Sequence, residues 1–173
     1  MSVTIGTIKP SQVDSYHRTF DIIARERRYL LSTSAPPLER TKEFVARMIE
    51  NRNPFLVAVT PQGDVAGSCT ICPESPDIHA HVGLLGIALL PEFRGRGLGT
   101  KLLSAALDKA YGRGFTHIEL TVYANNRPAI RLYEKFSFET EGVKKLSAQI
   151  DNEMVDVVMM ARLSPSLKAR MAA

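Results

Sequence analysis

Apolar and polar residues alternate over residues 3–8, the period of a strand with one buried face. After Lys9-Pro10-Ser11 the period lengthens. Val13, Tyr16, Phe20, Ile23 and Ala24 recur at helical spacing and predict a helix running to about Tyr29, with Arg25, Glu26, Arg27 and Arg28 on its other side. A loop over residues 30–37 leads to a second amphipathic helix over residues 38–51, with Leu38, Phe44, Val45, Met48 and Ile49 on one side, stopped by Asn53-Pro54. Strands over residues 55–59, 65–72 and 79–90 follow, separated by turn-forming stretches at 60–64 and 73–77. This succession predicts an antiparallel meander.

Beyond Leu90 comes a basic, glycine-rich turn. Leu102, Leu103, Ala106, Leu107 and Ala110 then mark a helix, closed by Gly112-Arg113-Gly114. Residues 117–123 alternate again, with Ile118, Leu120 and Val122 on one face and Glu119, Thr121 and Tyr123 on the other. Asn125-Asn126 is a helix-capping signal, Pro128 fits a first turn, and Ala129, Leu132, Tyr133 and Phe136 form an apolar side. Residues 138–141 and 154–161 read as closing strands around a turn near Asp151-Asn152. The chain is therefore expected to form one α/β domain over residues 1–164, with a mixed, largely antiparallel sheet of six to seven strands and about four helices. Residues 165–173, without a core pattern, form a loose tail or a short terminal helix.

Composition narrows the class. The 173 residues, 45% apolar and 23% charged, suit one globular domain with a proper core. No apolar run would span a bilayer, and the first residues lack the basic and apolar regions of a secretion signal, so a cytoplasmic protein with no membrane partner is expected. A net charge of +4, dispersed and without aromatic-basic reader motifs, argues against nucleic acid. Cys69 and Cys72 are spaced C-x-x-C, but on an expected strand, where residues three apart face opposite ways. With no second pair to complete a zinc site, they are expected to be reduced thiols, with no metal.

The chemistry concentrates in residues 84–101, where an apolar strand ends at Pro91 and Arg94-Gly95-Arg96-Gly97-Leu98-Gly99 opens a helix. Amides at a helix start lack intrahelical partners and carry the positive end of the dipole, while glycines admit a ligand close to the backbone, so this is a site for a phosphate-bearing ligand. A nucleotide P-loop requires G-x-x-x-x-G-K-[ST], whereas Gly99-Thr100-Lys101 has the wrong order. A dinucleotide fingerprint requires G-x-G-x-x-G at the start of a repeated parallel fold, whereas this loop follows a meander. A plain glycine turn stays open on these residues alone.

Two segments carry a resemblance. Arg94-x-x-Gly97-x-Gly99 resembles the pyrophosphate loop of the GCN5-related N-acetyltransferase (GNAT) family. Residues 126–138, from Asn126 through Ala129, Leu132 and Tyr133 to Phe138, resemble its N-x-x-A-x-x-L-Y-x-x-x-G-F segment. Ser137 departs from the glycine usual there, and a modest local adjustment is expected from its small size.

The resemblance implies a GNAT-like fold over nearly the whole chain and acetyl-coenzyme A as co-substrate. It implies that the backbone of Ile87, Ala88 and Leu89 pairs with the pantetheine arm like an added strand. Amides from Arg94 to Gly99 (Arg94, Gly95, Arg96, Gly97, Leu98 and Gly99) cradle the pyrophosphate, with Arg94 acting largely through its backbone. Asn126 caps its helix and touches the cofactor arm, and Tyr133 protonates the departing thiolate. Glu119 is the preferred base for the acceptor amine, with His79, His81 and an ordered water route as alternatives. Neither cysteine lies in the motifs, so direct attack without an acyl-enzyme is expected. Residues 118–122, 141–142 and 160–162 look closest to bacterial amino-acid and RimI-like N-acetyltransferases, which favours a small amine or amino acid as acceptor. A protein N-terminus, or a non-catalytic acyl-coenzyme A-binding module, is the alternative. Homodimers are common in that family, which supplies the expectation for assembly.

Overall fold

A computed structural model describes residues 2–74 and 77–173 of the chain. A single seven-stranded sheet runs in the order β1-β2-β3-β4-β5-β7-β6. Its strands are β1 (Thr4–Thr7), β2 (Phe55–Val59), β3 (Val65–Pro73), β4 (Val82–Leu89), β5 (His117–Tyr123), β6 (Glu139–Ile150) and β7 (Glu153–Leu163). Five helices accompany it: α1 (Val13–Arg25), α2 (Leu38–Glu50), α3 (Leu98–Gly112), α4 (Arg127–Lys135) and α5 (Pro165–Met171). All strand pairs are antiparallel except β4 with β5. No helix of the described residues is long and apolar enough to cross a membrane.

Strand alternation sorts the apolar residues into two cores. Leu56, Ala58, Ile71, Leu85, Ile118 and Leu120 face α3 and α4. Phe55, Val57 and Val65 face α1 and α2, where the rings of Tyr16 and Phe55 meet edge-on at 4.9 Å. Two side chains anchor α1 to β3: Thr19 Oγ1 donates to the Val65 carbonyl at 2.6 Å, and Ser15 Oγ accepts from the Val65 N–H at 2.9 Å. Cys69 lies in the first core and Cys72 packs against the second, so the two thiols do face opposite ways. Burial pushes both above the ordinary thiol range.

The two-period reading places most elements, and the departures have local causes. α1 ends at Arg25, short of the expected Tyr29, because Arg27 takes a left-handed φ of 52°. β4 begins at Val82, after a short 3-10 turn over Asp77–His79. His79 and His81 therefore precede the strand instead of sharing one of its faces, and His79 Nδ1 lies 2.9 Å from Glu74 Oε2. β6 reaches Ile150, far beyond the expected 138–141, as an edge strand mostly exposed and thus lacking an apolar alternation. The tail forms α5, capped by Ser164 Oγ accepting from the Leu167 N–H at 3.2 Å. The turn expected over residues 73–77 includes Ser75 and Pro76, which lie outside the described residues.

Ser137 takes a φ of 59° where α4 hands over to Phe138. A glycine in this place serves backbone conformation, so the relevant property of Ser137 is its Cβ, not its bulk. A left-handed L-residue costs about 1–2 kcal/mol, and glycine loses about 0.5–1 kcal/mol of that advantage to chain entropy. Ser137→Gly is therefore expected to stabilise the protein by about 0.5–1 kcal/mol in denaturant unfolding; equal or lower stability would show that the serine is not strained.

Candidate active site

The site begins with a split in the sheet. β4 and β5 pair only at Val82–His117, Gly83–Ile118 and Leu84–Glu119. Beyond these positions the parallel strands diverge, while β4 stays paired with β3 as far as Leu89. The β5-facing edge of β4 from Leu85 to Leu89 thus has no strand partner. Backbone donors and acceptors left open in this way require water or a ligand. The split lets a cleft of about 700 Å³ pass between the two faces, lined by Phe20 and Ile23 of α1 on one side and by Leu132 and Tyr133 of α4 on the other.

The glycine loop closes one end of the cleft. Gly95 and Gly97 have φ of 70° and 75°, and a Cβ on either would meet open space, so the positive φ is what requires glycine. Gly97 is the N-cap of α3 and supplies no side-chain cap, which leaves the first-turn amides without internal partners. At Gly99 the constraint is proximity, since a Cβ would lie 3.3 Å from Leu132 Cδ2. An unpaired strand edge meeting an uncapped helix N-terminus fits an extended ligand that carries amide-like groups and phosphates.

The expected donor-site residues converge here. Ile87, Ala88 and Leu89 line the cleft, as do Arg94, Gly95, Gly97 and Gly99. Leu98 is buried as the first residue of α3. Arg96 does not line the cleft; its guanidinium lies over the Phe93 ring at 5.8 Å. Asn126, 9% exposed, accepts from the Ala129 N–H at 3.3 Å and also faces the cleft. Tyr133 lines the cleft although it is only 6% exposed, with its ring tilted against Phe138 at 5.8 Å. Burial pushes its phenol well above the ordinary tyrosine value, so it holds its proton throughout the neutral range.

Glu119 is not brought into the cleft. It sits at the root of the split, where β4 and β5 are still paired, with Oε1 3.6 Å from His117 Nε2. Thr121, two residues along the same face of β5, lines the cleft instead.

One feature has no signal in the local sequence. The Arg94 side chain is consumed inside the protein: Nε donates to the Leu89 carbonyl at 2.8 Å, Nη1 donates to Glu26 Oε2 at 2.8 Å, and Nη2 donates to Glu26 Oε1. Tyr29 lies 4.3 Å beneath the guanidinium. Arg94 thereby joins the donor loop to the segment after α1, whose Tyr29, Leu30, Leu31 and Ser32 form a lip on the cleft. Tyr123 holds the same lip, its hydroxyl donating to the Leu30 carbonyl at 3.2 Å.

The sequence profile described as the acetyltransferase (GNAT) family matches residues 16–138, which carry both the split strands and the glycine loop. The chain belongs to this family. Among curated GNAT relatives, the L-amino acid N-acetyltransferase AaaT of Escherichia coli (strain K12) is 35% identical over 102 residues, covering 58% of this chain and 63% of that protein. The [ribosomal protein bS18]-alanine N-acetyltransferase of Salmonella typhimurium (strain LT2) is 35% identical over 78 residues, covering 45% of this chain and 53% of that protein. Each match thus spans less than two thirds of the relative. Among solved structures, a GNAT-family acetyltransferase from Streptococcus pneumoniae superposes with a TM-score of 0.87 at 24% identity, over 94% of this chain and 100% of that one. A phosphinothricin acetyltransferase from Sinorhizobium meliloti, in complex with acetyl-coenzyme A, gives 0.87 at 20% identity over 94% and 89%. These two likenesses concern the fold.

The Glu26–Arg94 pair is half-buried, with side chains 22% and 29% exposed, so losing one partner strands the other. Glu26→Gln and Arg94→Gln are each expected to cost about 1–2 kcal/mol in unfolding, and the double variant less than their sum by about 1 kcal/mol. Strict additivity would mean that the pair contributes nothing as a unit.

Proposed function

We propose that this GNAT protein transfers an acetyl group from acetyl-coenzyme A to the primary amine of a small molecule, an amino acid above all, by direct attack with no acyl-enzyme. The observation that carries this reading is the unpaired edge of β4 leading into the uncapped N-terminus of α3, with a buried tyrosine across the cleft. Acetyl-coenzyme A supplies the activated acetyl thioester. Ile87 to Leu89 offer backbone groups to its arm, the amides from Arg94 to Gly99 hold its pyrophosphate, and Asn126 steadies the arm from α4. The relationship to an L-amino acid N-acetyltransferase supports the acceptor class.

Tyr133 acts as the general acid. In balance, the amine nitrogen forms one bond to the acetyl carbon and loses one proton, the carbon–sulfur bond breaks, and the sulfur gains the proton of Tyr133, which solvent replaces. A buried phenol suits this task because it is protonated at working pH. The amine's proton leaves through water on the Thr121 face of β5, toward Glu119, since no carboxylate of the described residues lines the cleft.

Tyr133→Phe is expected to lower kcat about 100-fold or more while the coenzyme A dissociation constant changes little. Thiol release from a panel of amines measures the first and calorimetry the second; unchanged turnover would remove the acid assignment, and binding with no turnover of any amine by the wild type would favour a sensor. Glu119→Gln is expected to lower kcat with little change in the coenzyme A dissociation constant, and unaltered turnover would leave proton removal to water alone.

A further inference from the structure

A second cavity, of about 550 Å³, adjoins the cleft and shares Leu30, Leu31 and Thr121 with it. Its walls are the segment after α1, the β5 face carrying Thr121 and Tyr123, and the β6 hairpin. The glycine loop lines the cleft and not this cavity, so the two meet at Thr121 from different directions.

The charge along its walls is one-sided. Among the described residues Arg27 and Lys144 line it, and no aspartate or glutamate does. Arg27 is already engaged, its Nε lying 2.7 Å from Asp151 Oδ1 at the hairpin tip. Lys145 turns away from the cavity to Asp156, at 2.9 Å. Lys144 has no ion-pair partner among the described residues and lines the cavity together with Gln149 and Thr121. A second ammonium on the acceptor would meet repulsion here, whereas an anionic group would find a free cation and neutral donors.

Resting on the acetyltransferase reading above, we propose that this cavity seats the acceptor and that Lys144 is its specificity-determining residue, pairing with the carboxylate of a free amino acid while the amine points to Thr121. A peptide N-terminus lacks that carboxylate at the adjacent carbon, so the pairing selects free amino acids over protein ends. A charge-assisted pair of this kind corresponds to about tenfold in affinity.

The test measures thiol release with the proteinogenic amino acids, each against its own carboxamide and its decarboxylated amine, for the wild type, Lys144→Gln and Lys144→Arg. The wild type is expected to favour the acids at least tenfold in kcat/KM. Lys144→Gln is expected to lose most of that preference through KM, with kcat within about threefold, and Lys144→Arg to retain it. An acetyl-coenzyme A dissociation constant like that of the wild type establishes that the variants are folded. Amides used as well as acids by the wild type, or a preference unmoved in Lys144→Gln, overturns the Lys144 assignment while leaving acetyl transfer intact. Coenzyme A binding with no thiol release from any acceptor overturns the acetyltransferase reading, and this assignment with it.

Discussion

Parallel strands normally share a continuous ladder, and here β4 and β5 abandon theirs after three residue pairs. The candidate site depends on that interruption. It leaves the edge of β4 with open hydrogen-bonding groups in a wall of otherwise apolar side chains, and such groups are costly unless something completes them. It also opens a passage between the two faces of the sheet, which would be sealed by a continuous ladder. The α3–α4 face then supplies the helix N-terminus and Tyr133, and the α1–α2 face supplies the lip, so two ligands can meet in the gap from opposite sides.

The gap is braced by polar ties that cross it. Arg94 belongs to the glycine loop, yet its guanidinium is held by the Leu89 carbonyl and the Glu26 carboxylate and stacked on Tyr29. The charge that looks available for phosphate is therefore spent on fixing the lip against the loop. On the proposed function, phosphate binding then falls to backbone amides, which the left-handed φ at Gly95 and Gly97 sets in place. Tyr123, holding Leu30, and Arg27, holding Asp151, extend the same bracing to the second cavity. The lip's position is thus set jointly by β5, the turn between β6 and β7, and the loop.

Legibility in the sequence followed burial. Residues 55–59, with one face in each core, and residues 117–123, with one face in the first core and a polar face opposite, show an apolar pattern, and so do α2 and α3, because a buried face imposes a period. β6 did not, since an exposed edge strand is held by backbone pairing to β7 and needs no apolar face. The end of α1 was misread because Arg27 turns left-handed in a run of charged residues that contains no glycine or proline to mark it. The glycine loop and the α4 segment carrying Tyr133 are marked by local backbone chemistry and a compact motif, and both line the cleft.

Apolar periods, turn residues and glycine spacing along the chain settle the order of elements and the glycine loop that opens a helix. These are properties of neighbours along the chain: glycine conformations, caps and apolar periods act within a few residues. Packing at a distance, by contrast, buries Tyr133, parts β4 and β5 after Leu84, ties Glu26 to Arg94, turns Thr121 to the cleft while Glu119 stays at its root, and sets Lys144 on a cavity that no carboxylate of the described residues lines. Each of these joins residues remote in sequence, and their distances are fixed by strand register and packing, which no local pattern encodes.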